Sequence, residues 1–376
     1  MHSYAFFRGF VRARRAGVKT VARATGLLVL LLFIVGCLTL NPQTKRTPLN
    51  TQTNRTLAVM THDSFAVSES VLNAFEQSTG IQVDVLKSGD AGVALNKAIL
   101  TKQAPLADVL YGVDNTFLTR ALQENIYEPY NSPALASIPS EYRLDPQNRA
   151  LPVDYGYVCI NYDIAWFSAR SLAVPQTLED LVHPEYKGLL AVENPMTSSP
   201  GFAFLLSTVT HFGPNGFVDY WKSLKANQVA IADGWETAYY TDFSGASGKG
   251  PQPLVVSYST SPAYEMIYAD PPRSDPPTAS LDGPDTCFRQ IEFVGILAGT
   301  PNRALAEKFV DFMLDSSFQE DIPLQMGMFP VKTQAKVPEA FVQYAPIPSR
   351  PAILAPEEIT AHREEWLNLW KETMLP

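Results

Sequence analysis

The chain has 376 residues, 46% of them hydrophobic and 18% charged, with a formal net charge of −9. At roughly 150 residues per domain this length suggests two domains, and the composition is that of a globular rather than a disordered chain. The acidic balance excludes nucleic acid as a natural partner, since phosphate binding needs a basic face, and it suits a cationic ligand.

Residues 1–37 read as a targeting segment outside the fold. Arg8, Arg12, Arg14, Arg15, Lys19 and Arg23 form a basic region, and Leu27 to Val35 is an apolar run too short for a membrane span of about 20 residues. It ends in Ile34-Val35-Gly36-Cys37, a pattern like a bacterial lipobox in which Cys37 becomes the lipidated N-terminus. A plain signal anchor with Cys37 incidental is the alternative. Residues 38–55 hold little that can be buried and read as a flexible tether. One acyl chain binds a bilayer weakly, so a diacylglyceryl-type anchor is the sensible form. The expectation is a domain anchored by lipid to the cell membrane, in the periplasm or on the outer face. In that compartment Cys159 and Cys287 are expected to pair, the alternative being two separate buried thiols.

From residue 56 strands and helices alternate. Thr56 to Met60 reads as a strand, followed at once by Thr61-His62-Asp63-Ser64-Phe65. A helix capped by Ser68 or Ser70 runs to Thr79-Gly80, then comes a strand over 81–85, and a helix opened by Gly89-Asp90-Ala91-Gly92. Ala107 to Gly112 is a third strand that breaks into Asp114-Asn115. This order predicts an α/β fold with a parallel sheet, and ligands of such sheets bind beyond the carboxyl ends of the strands, where Asp63 and Asp114 lie.

Leu151 to Asp163, including Tyr155, is a long apolar strand that crosses into a second lobe. Thr177 to Leu181 reads as the start of a helix. A strand over 189–192 ends in Glu193-Asn194-Pro195-Met196-Thr197-Ser198-Ser199-Pro200-Gly201. A Phe- and Leu-rich helix follows, so Thr197, Ser198 and Ser199 either hold a phosphate at its N-terminus or only cap it. A further helix lies within 213–227. Cys287 to Leu297 returns the chain to the first lobe. Asn302 to Leu314 is an amphipathic helix, and Pro356 opens a last helix with Trp366 and Trp370 on one packing face.

The most informative stretch runs from Asp233 to Tyr264. It places Trp235, Tyr239, Tyr240, Tyr258 and Tyr264 around a short strand that ends in Ser257, Ser259, Thr260 and Ser261. Some of these rings are ordinary half-buried core. As a cluster at a strand's carboxyl edge they suit a flat cationic molecule, which stacks on rings and is drawn to their faces by about 0.5–2 kcal/mol per contact. Asp63 or Asp114 would supply the counter-charge. No GxxxxGK[ST] loop, G-x-S-x-G elbow or His-Glu-x-x-His occurs. His62, beside Asp63, reads as a hydrogen-bonding neighbour. No metal ligand set and no cofactor is expected, apart from one minority reading in which Tyr239 and Tyr240 act as ferric phenolate ligands.

Six stretches together resemble the thiamine-binding extracytoplasmic substrate-binding proteins of ABC importers. They are Thr61-His62-Asp63-Ser64-Phe65, Gly112-Val113-Asp114-Asn115, Val153-Asp154-Tyr155-Gly156-Tyr157, Thr197-Ser198-Ser199-Pro200-Gly201, Gly234-Trp235-Glu236-Thr237-Ala238-Tyr239, and Ser257 to Tyr264. The last two are the most specific, and the register holds from about Thr56 to Trp370. The resemblance implies the two-lobed type II fold of periplasmic binding proteins, with the ligand between lobes joined by crossing strands. Lobe 1 is expected over 56–156 with a return at about 287–315, and lobe 2 over 157–286 with the C-terminal helices of about 316–376. Trp235, Tyr258 and Tyr264 would contact the rings of thiamine or its mono- or diphosphate, Asp63 would meet its charged or amino groups, and Ser198 would reach its phosphate or hydroxyethyl end. The implied partner is an ABC permease, the implied state a monomer, and no catalysis is implied. A thiamine-degrading enzyme on the same fold is the rival, with Cys159 as its one candidate thiol. Two family rings are absent. Gly327 stands where a Trp precedes Pro330-Val331, and Val67, Ser68 and Glu69 stand where another is expected, leaving Met326, Met328 or Phe329 to compensate.

Overall fold

The computed structural model describes residues 55–247 and 249–375. The expected signal segment, Cys37 and all of the tether but Arg55 lie outside them; Arg55 itself opens the first strand.

In chain order the strands are β1 Arg55–Thr61, β2 Ile81–Lys87, β3 Val109–Asp114, β4 Tyr127–Glu128, β5 Leu151–Asp163, β6 Leu190–Glu193, β7 Ala230–Ala232, β8 Leu254–Tyr258, β9 Thr278–Ser280, β10 Phe288–Leu297 and β11 Phe329–Pro330. Hydrogen bonding links them in the order β2-β1-β3-β10-β5-β8-β6-β7. The two ends of this path are parallel, β2-β1-β3 on one side and β8-β6-β7 on the other. Between them β5 and β10 run antiparallel to each other and to their neighbours.

These two strands are long because each serves two cores. The start of β5 pairs Leu151 with Val294, while its end pairs Val158 to Tyr162 with β8. Side chains from the first half, such as Val153, pack with Leu57, Val59, Tyr111, Val294 and Phe309. Val158 and Ile160 pack instead with Val192, Phe202, Trp221 and Leu254. The opposite face of the first sheet carries Met60, Leu95, Leu110, Phe117 and Phe293. A disulfide joins Cys159 to Cys287, stapling the crossing strands on the second-lobe side.

Local signals place most helices. Gly80, at φ 67°, ends the helix Glu69–Thr79 in a left-handed cap. Asp90 caps the helix Ala91–Leu100. Two expectations change and one holds. The helix expected from Thr177 is only a short 3₁₀ turn, Asp180–Val182, because the Asp180 carboxylate accepts from the N–H groups of Gln176 and Thr177 and fixes a turn instead. The two helices expected across 202–227 are present: the stretch Ser199–Ala226 breaks at Gly213, whose φ of 73° is not helical. The helix Ser316–Gln325 was expected with the second lobe, but Phe318 and Ile322 bury in the first core. The last helix, Pro356–Met374, closes the second core with Trp366, Leu367 and Trp370. Among the described residues no helix is long and apolar enough to cross a membrane.

Candidate functional site

The carboxyl ends of the two parallel strand sets face one another, and both present polar residues. In the second lobe the chain leaves β7, turns at Gly234 and winds through Trp235–Thr237 into a π-helical turn, Ala238–Asp242. That winding stacks Trp235 on Tyr239 (centroids 5.0 Å, planes at 15°) and sets Tyr240 edge-on to Trp235 at 5.5 Å. Tyr258, the last residue of β8, meets Trp235 at 6.1 Å. The Trp235 indole N–H donates to Ser257 Oγ at 2.9 Å, and Ser257 shares a second hydrogen bond with Ser261 Oγ at 3.0 Å. The rings are therefore fixed before any ligand arrives. Tyr239 is 3% exposed and its hydroxyl donates to Glu265, whose other oxygen accepts from Thr278 at 2.6 Å. That hydroxyl is committed, and burial next to Glu265 pushes its pKa far up, which opposes a phenolate role.

The first lobe contributes Asp90, a residue the sequence reading passed over as a helix opener. Its carboxylate accepts from Ala91 N at 2.7 Å and reaches across the cleft to Ser199 N and Trp235 N, each at 3.4 Å. Burial raises the Asp90 pKa, and the Ala91 N–H and the nearby His62 pull it back. Ser198, fully buried, faces the same carboxylate without completing a hydrogen bond by distance and angle. Ser199 Oγ accepts from Gln290 Nε2 at 2.9 Å, and Thr197 Oγ1 donates to the Asp233 carbonyl at 2.9 Å.

Behind Asp90 lies a buried network on the crossing strands. Glu292 and Asp154 are cross-strand partners, and Tyr111 donates its hydroxyl toward both. His62 Nε2 stands 3.5 Å from Glu292. Burial works against charge at His62, yet Glu292 outweighs it and the imidazole pKa lies above its ordinary value. Burial also opposes charge on Glu292, but His62 wins and the carboxyl is held below its usual range. Burial, and the negative charge of Glu292 beside it, push the Asp154 pKa well above the usual carboxyl range. Burial first, and then the negative charge of Glu292, Asp90, Asp114 and Glu193, push the Tyr258 pKa well up.

Residues 104–349 match the family described as bacterial extracellular solute-binding proteins. The chain belongs to that family. It is 30% identical to a thiamine-binding periplasmic protein of Brucella suis biovar 1 (strain 1330), over 85% of this chain and 92% of the relative. Its structure is similar to that of a periplasmic thiamin binding protein, with a TM-score of 0.74, 26% identity, and coverage of 85% of this chain and 96% of the other. Iron-bound HitA from Pseudomonas aeruginosa gives a TM-score of 0.68 at 20% identity, covering 85% and 99%. The last likeness is one of fold alone. The fold is the α/β, two-lobed type II fold of periplasmic binding proteins.

Against that architecture the expected site residues separate into groups. Trp235, Tyr239, Tyr258 and Ser261 come together, and Thr197, Ser198 and Ser199 lie next to them at the Asp90 contact. Asp63 is exposed at the rim, where its carboxylate accepts from Gly89 N at 2.9 Å and so pins the loop that carries Asp90. Ser64, half-buried, follows it on the same loop. Asp114 caps its own turn, accepting from Thr116 and Phe117, with burial lifting its pKa to about 7. Asn115 spends its amide on Arg289 and Ile291 of β10. Tyr155 stacks between Tyr142 and Phe329. Tyr264 packs at a tilt against Tyr268 (planes at 46°) and lies over Gly327, where an added Cβ would come 3.2 Å from its ring and φ is 70°. Tyr264 thus fills space that a family tryptophan at 327 would claim. Met328 packs against Gly156 and Phe329 against Tyr155, both inside the first lobe, and Met326 Sδ lies 3.6 Å from the Tyr111 hydroxyl. Among the described residues no group of three or more His, Cys, Asp or Glu side chains is placed to hold a metal. Two residues not singled out from sequence lie at the same carboxyl edge as Asp63 and Asp114: Glu193 ends β6, and Asp90 follows the end of β2 by three residues.

Proposed function

We propose that this protein is an extracytoplasmic receptor that binds thiamine, or its mono- or diphosphate, between its lobes and hands it to an ABC import permease. One observation carries the reading: the preformed ring cluster of Trp235, Tyr239 and Tyr258 meets the Asp90 carboxylate of the facing lobe at the Trp235 N–H. A flat cation stacks on Trp235 and Tyr258 while Asp90, on the facing lobe, supplies counter-charge. Ser198 and the helix N-terminus at Ser199 lie where a hydroxyl or phosphate tail is received. The kinship with thiamine-binding periplasmic proteins supports this ligand over iron, and so does the commitment of Tyr239 to Glu265.

In this reading the lobes are residues 55–156 with the return from 293 through about 325, and 157–292 with the last helix, the chain crossing between them on β5 and β10. They close on the ligand by bending there. Cys37 carries a lipid anchor and residues 38–54 the tether, and the chain acts as a monomer. No covalent chemistry is needed, and the thiol a thiamine-degrading reaction requires is bonded to Cys287.

The test is titration with thiamine and its phosphates while following tryptophan fluorescence. Of five tryptophans only Trp235 lies in the ring cluster, so saturable quenching that Trp235→Ala removes supports the reading. No response at millimolar ligand, together with a colour that appears on adding ferric ion, refutes it.

A further inference from the structure

Glu193 ends β6 fully buried, and neither carboxyl oxygen has a hydrogen-bond partner. Among the described residues it is the sole carboxyl with both oxygens so placed. Folded proteins pair nearly every buried polar group, so an orphaned carboxyl calls for a ligand or another account.

Its position supplies the account. Side chains alternate across a strand, which sets Glu193 on the face of Ala191, and Ala191 packs with Tyr239, Val255 and Trp235. β6 pairs Ala191 with Val255 on one side and Glu193 with Ala232 of β7 on the other, and two residues beyond Val255 the Ser257 hydroxyl holds the Trp235 indole. The Glu193 carboxyl also acts on Asp90 of the other lobe and on Tyr258. The start of the long helix closes over it because residue 201 is glycine; a Cβ there would lie 2.6 Å from the Glu193 carbonyl oxygen. Glu193 is thus a rigidly placed group of the second lobe at the same carboxyl edge as the rings. Burial pushes its pKa well above the usual carboxyl range and so favours the protonated form; a protonated carboxyl presents an O–H and a C=O side by side.

We propose that Glu193 reads an amino-heterocycle edge of the ligand: its O–H donates to a ring nitrogen and its C=O accepts from the adjacent exocyclic amino group. The inference rests on the thiamine reading, because the aminopyrimidine of thiamine carries such an edge. It adds a division of labour, with Asp90 answering the ligand's charge and Glu193 its hydrogen-bond pattern.

Calorimetric titration of the full chain with thiamine and with its desamino analogue, in which hydrogen replaces the amino group and leaves the carboxyl C=O without a donor, tests this. Wild type is expected to prefer thiamine by about tenfold or more, the cost of leaving a buried group unpaired. Glu193→Leu is expected to bind thiamine at least about tenfold more weakly and to lose the preference. Glu193→Gln, whose amide also sets a donor beside an acceptor, keeps most of it. Trp235→Ala weakens both ligands and leaves their ratio alone. A Glu193→Leu protein with the wild-type ratio overturns the proposal. Should that variant not fold, an unchanged ratio in Glu193→Asp, which withdraws the carboxyl by one methylene, overturns it equally. Wild type that binds both ligands equally refutes this inference alone, and wild type that binds neither refutes the thiamine reading with it.

Discussion

Asp90→Ala tests whether one carboxylate holds the lobes together. The side chain makes three contacts of two kinds. Its bond to Ala91 N at 2.7 Å is a helix cap within the first lobe, and its loss costs about 1 kcal/mol of stability. Its bonds to Ser199 N and Trp235 N, both 3.4 Å, cross the cleft. At that length each sits near the low end for a net hydrogen bond, about 0.5 kcal/mol, so together they favour contact between the lobes by about 1 kcal/mol. Removing them shifts the balance between apposed and separated lobes about fivefold. Small-angle X-ray scattering on the ligand-free protein is expected to show a larger radius of gyration for Asp90→Ala, with Asp90→Asn in between because its carbonyl still accepts. Thermal melting monitors the cap separately. A folded Asp90→Ala protein whose scattering matches wild type would show that the cleft contacts carry no free energy, and the reasoning fails.

Trp235→Ala removes one stacking face and is expected to weaken thiamine binding by about 1–3 kcal/mol, or roughly 5- to 150-fold, by calorimetry. Cys159→Ser with Cys287→Ser opens a closed loop spanning 128 residues, for which chain entropy sets a loss of about 5 kcal/mol as an upper figure; the midpoint of urea unfolding measures it, and an unchanged midpoint contradicts the bond. Asp114 and Glu265 have pKa values lifted by burial to about 7. A carboxyl that holds its proton more tightly when folded contributes stability in full below about pH 4 and loses it as pH rises to about 7. Unfolding free energy is therefore expected to fall across that window, and more gently in Glu265→Gln. Trp370→Ala, which empties a fully buried site against Trp221, is expected to cost about 3–5 kcal/mol in denaturant unfolding while leaving the ring cluster in place.

Long elements with one dominant signal were legible in the sequence. The apolar run from Leu151 to Asp163 is β5 to the residue, Pro356 does open the last helix, and Leu254 to Tyr258 is a strand ending at the rings. What failed was decided by atoms distant in sequence. Ser68 occupies the cap position of its helix, but its hydroxyl donates to Asp321, 253 residues away. Asn115 carries the right chemistry at the right edge, yet β10 takes up its amide, and Asp114 gives one of its two oxygens to its own turn. Asp90 looked like a helix opener because it is one. Its second role exists only when the other lobe brings Ser199 and Trp235 against it. Edge position was readable, and orientation across a cleft was not.

The way the last helix completes the second lobe also bears on the order in which the chain is made. Trp366 and Trp370 pack on a core whose other members, such as Phe202 and Trp221, lie about 150 residues earlier. A chain interrupted before Pro356 holds every strand of that lobe but lacks one wall of its interior. Until the turns that carry Trp366 and Trp370 emerge, that half keeps one apolar face uncovered and open to chaperones. Arrival of these two rings, more than formation of the sheet, completes the core of this half of the molecule.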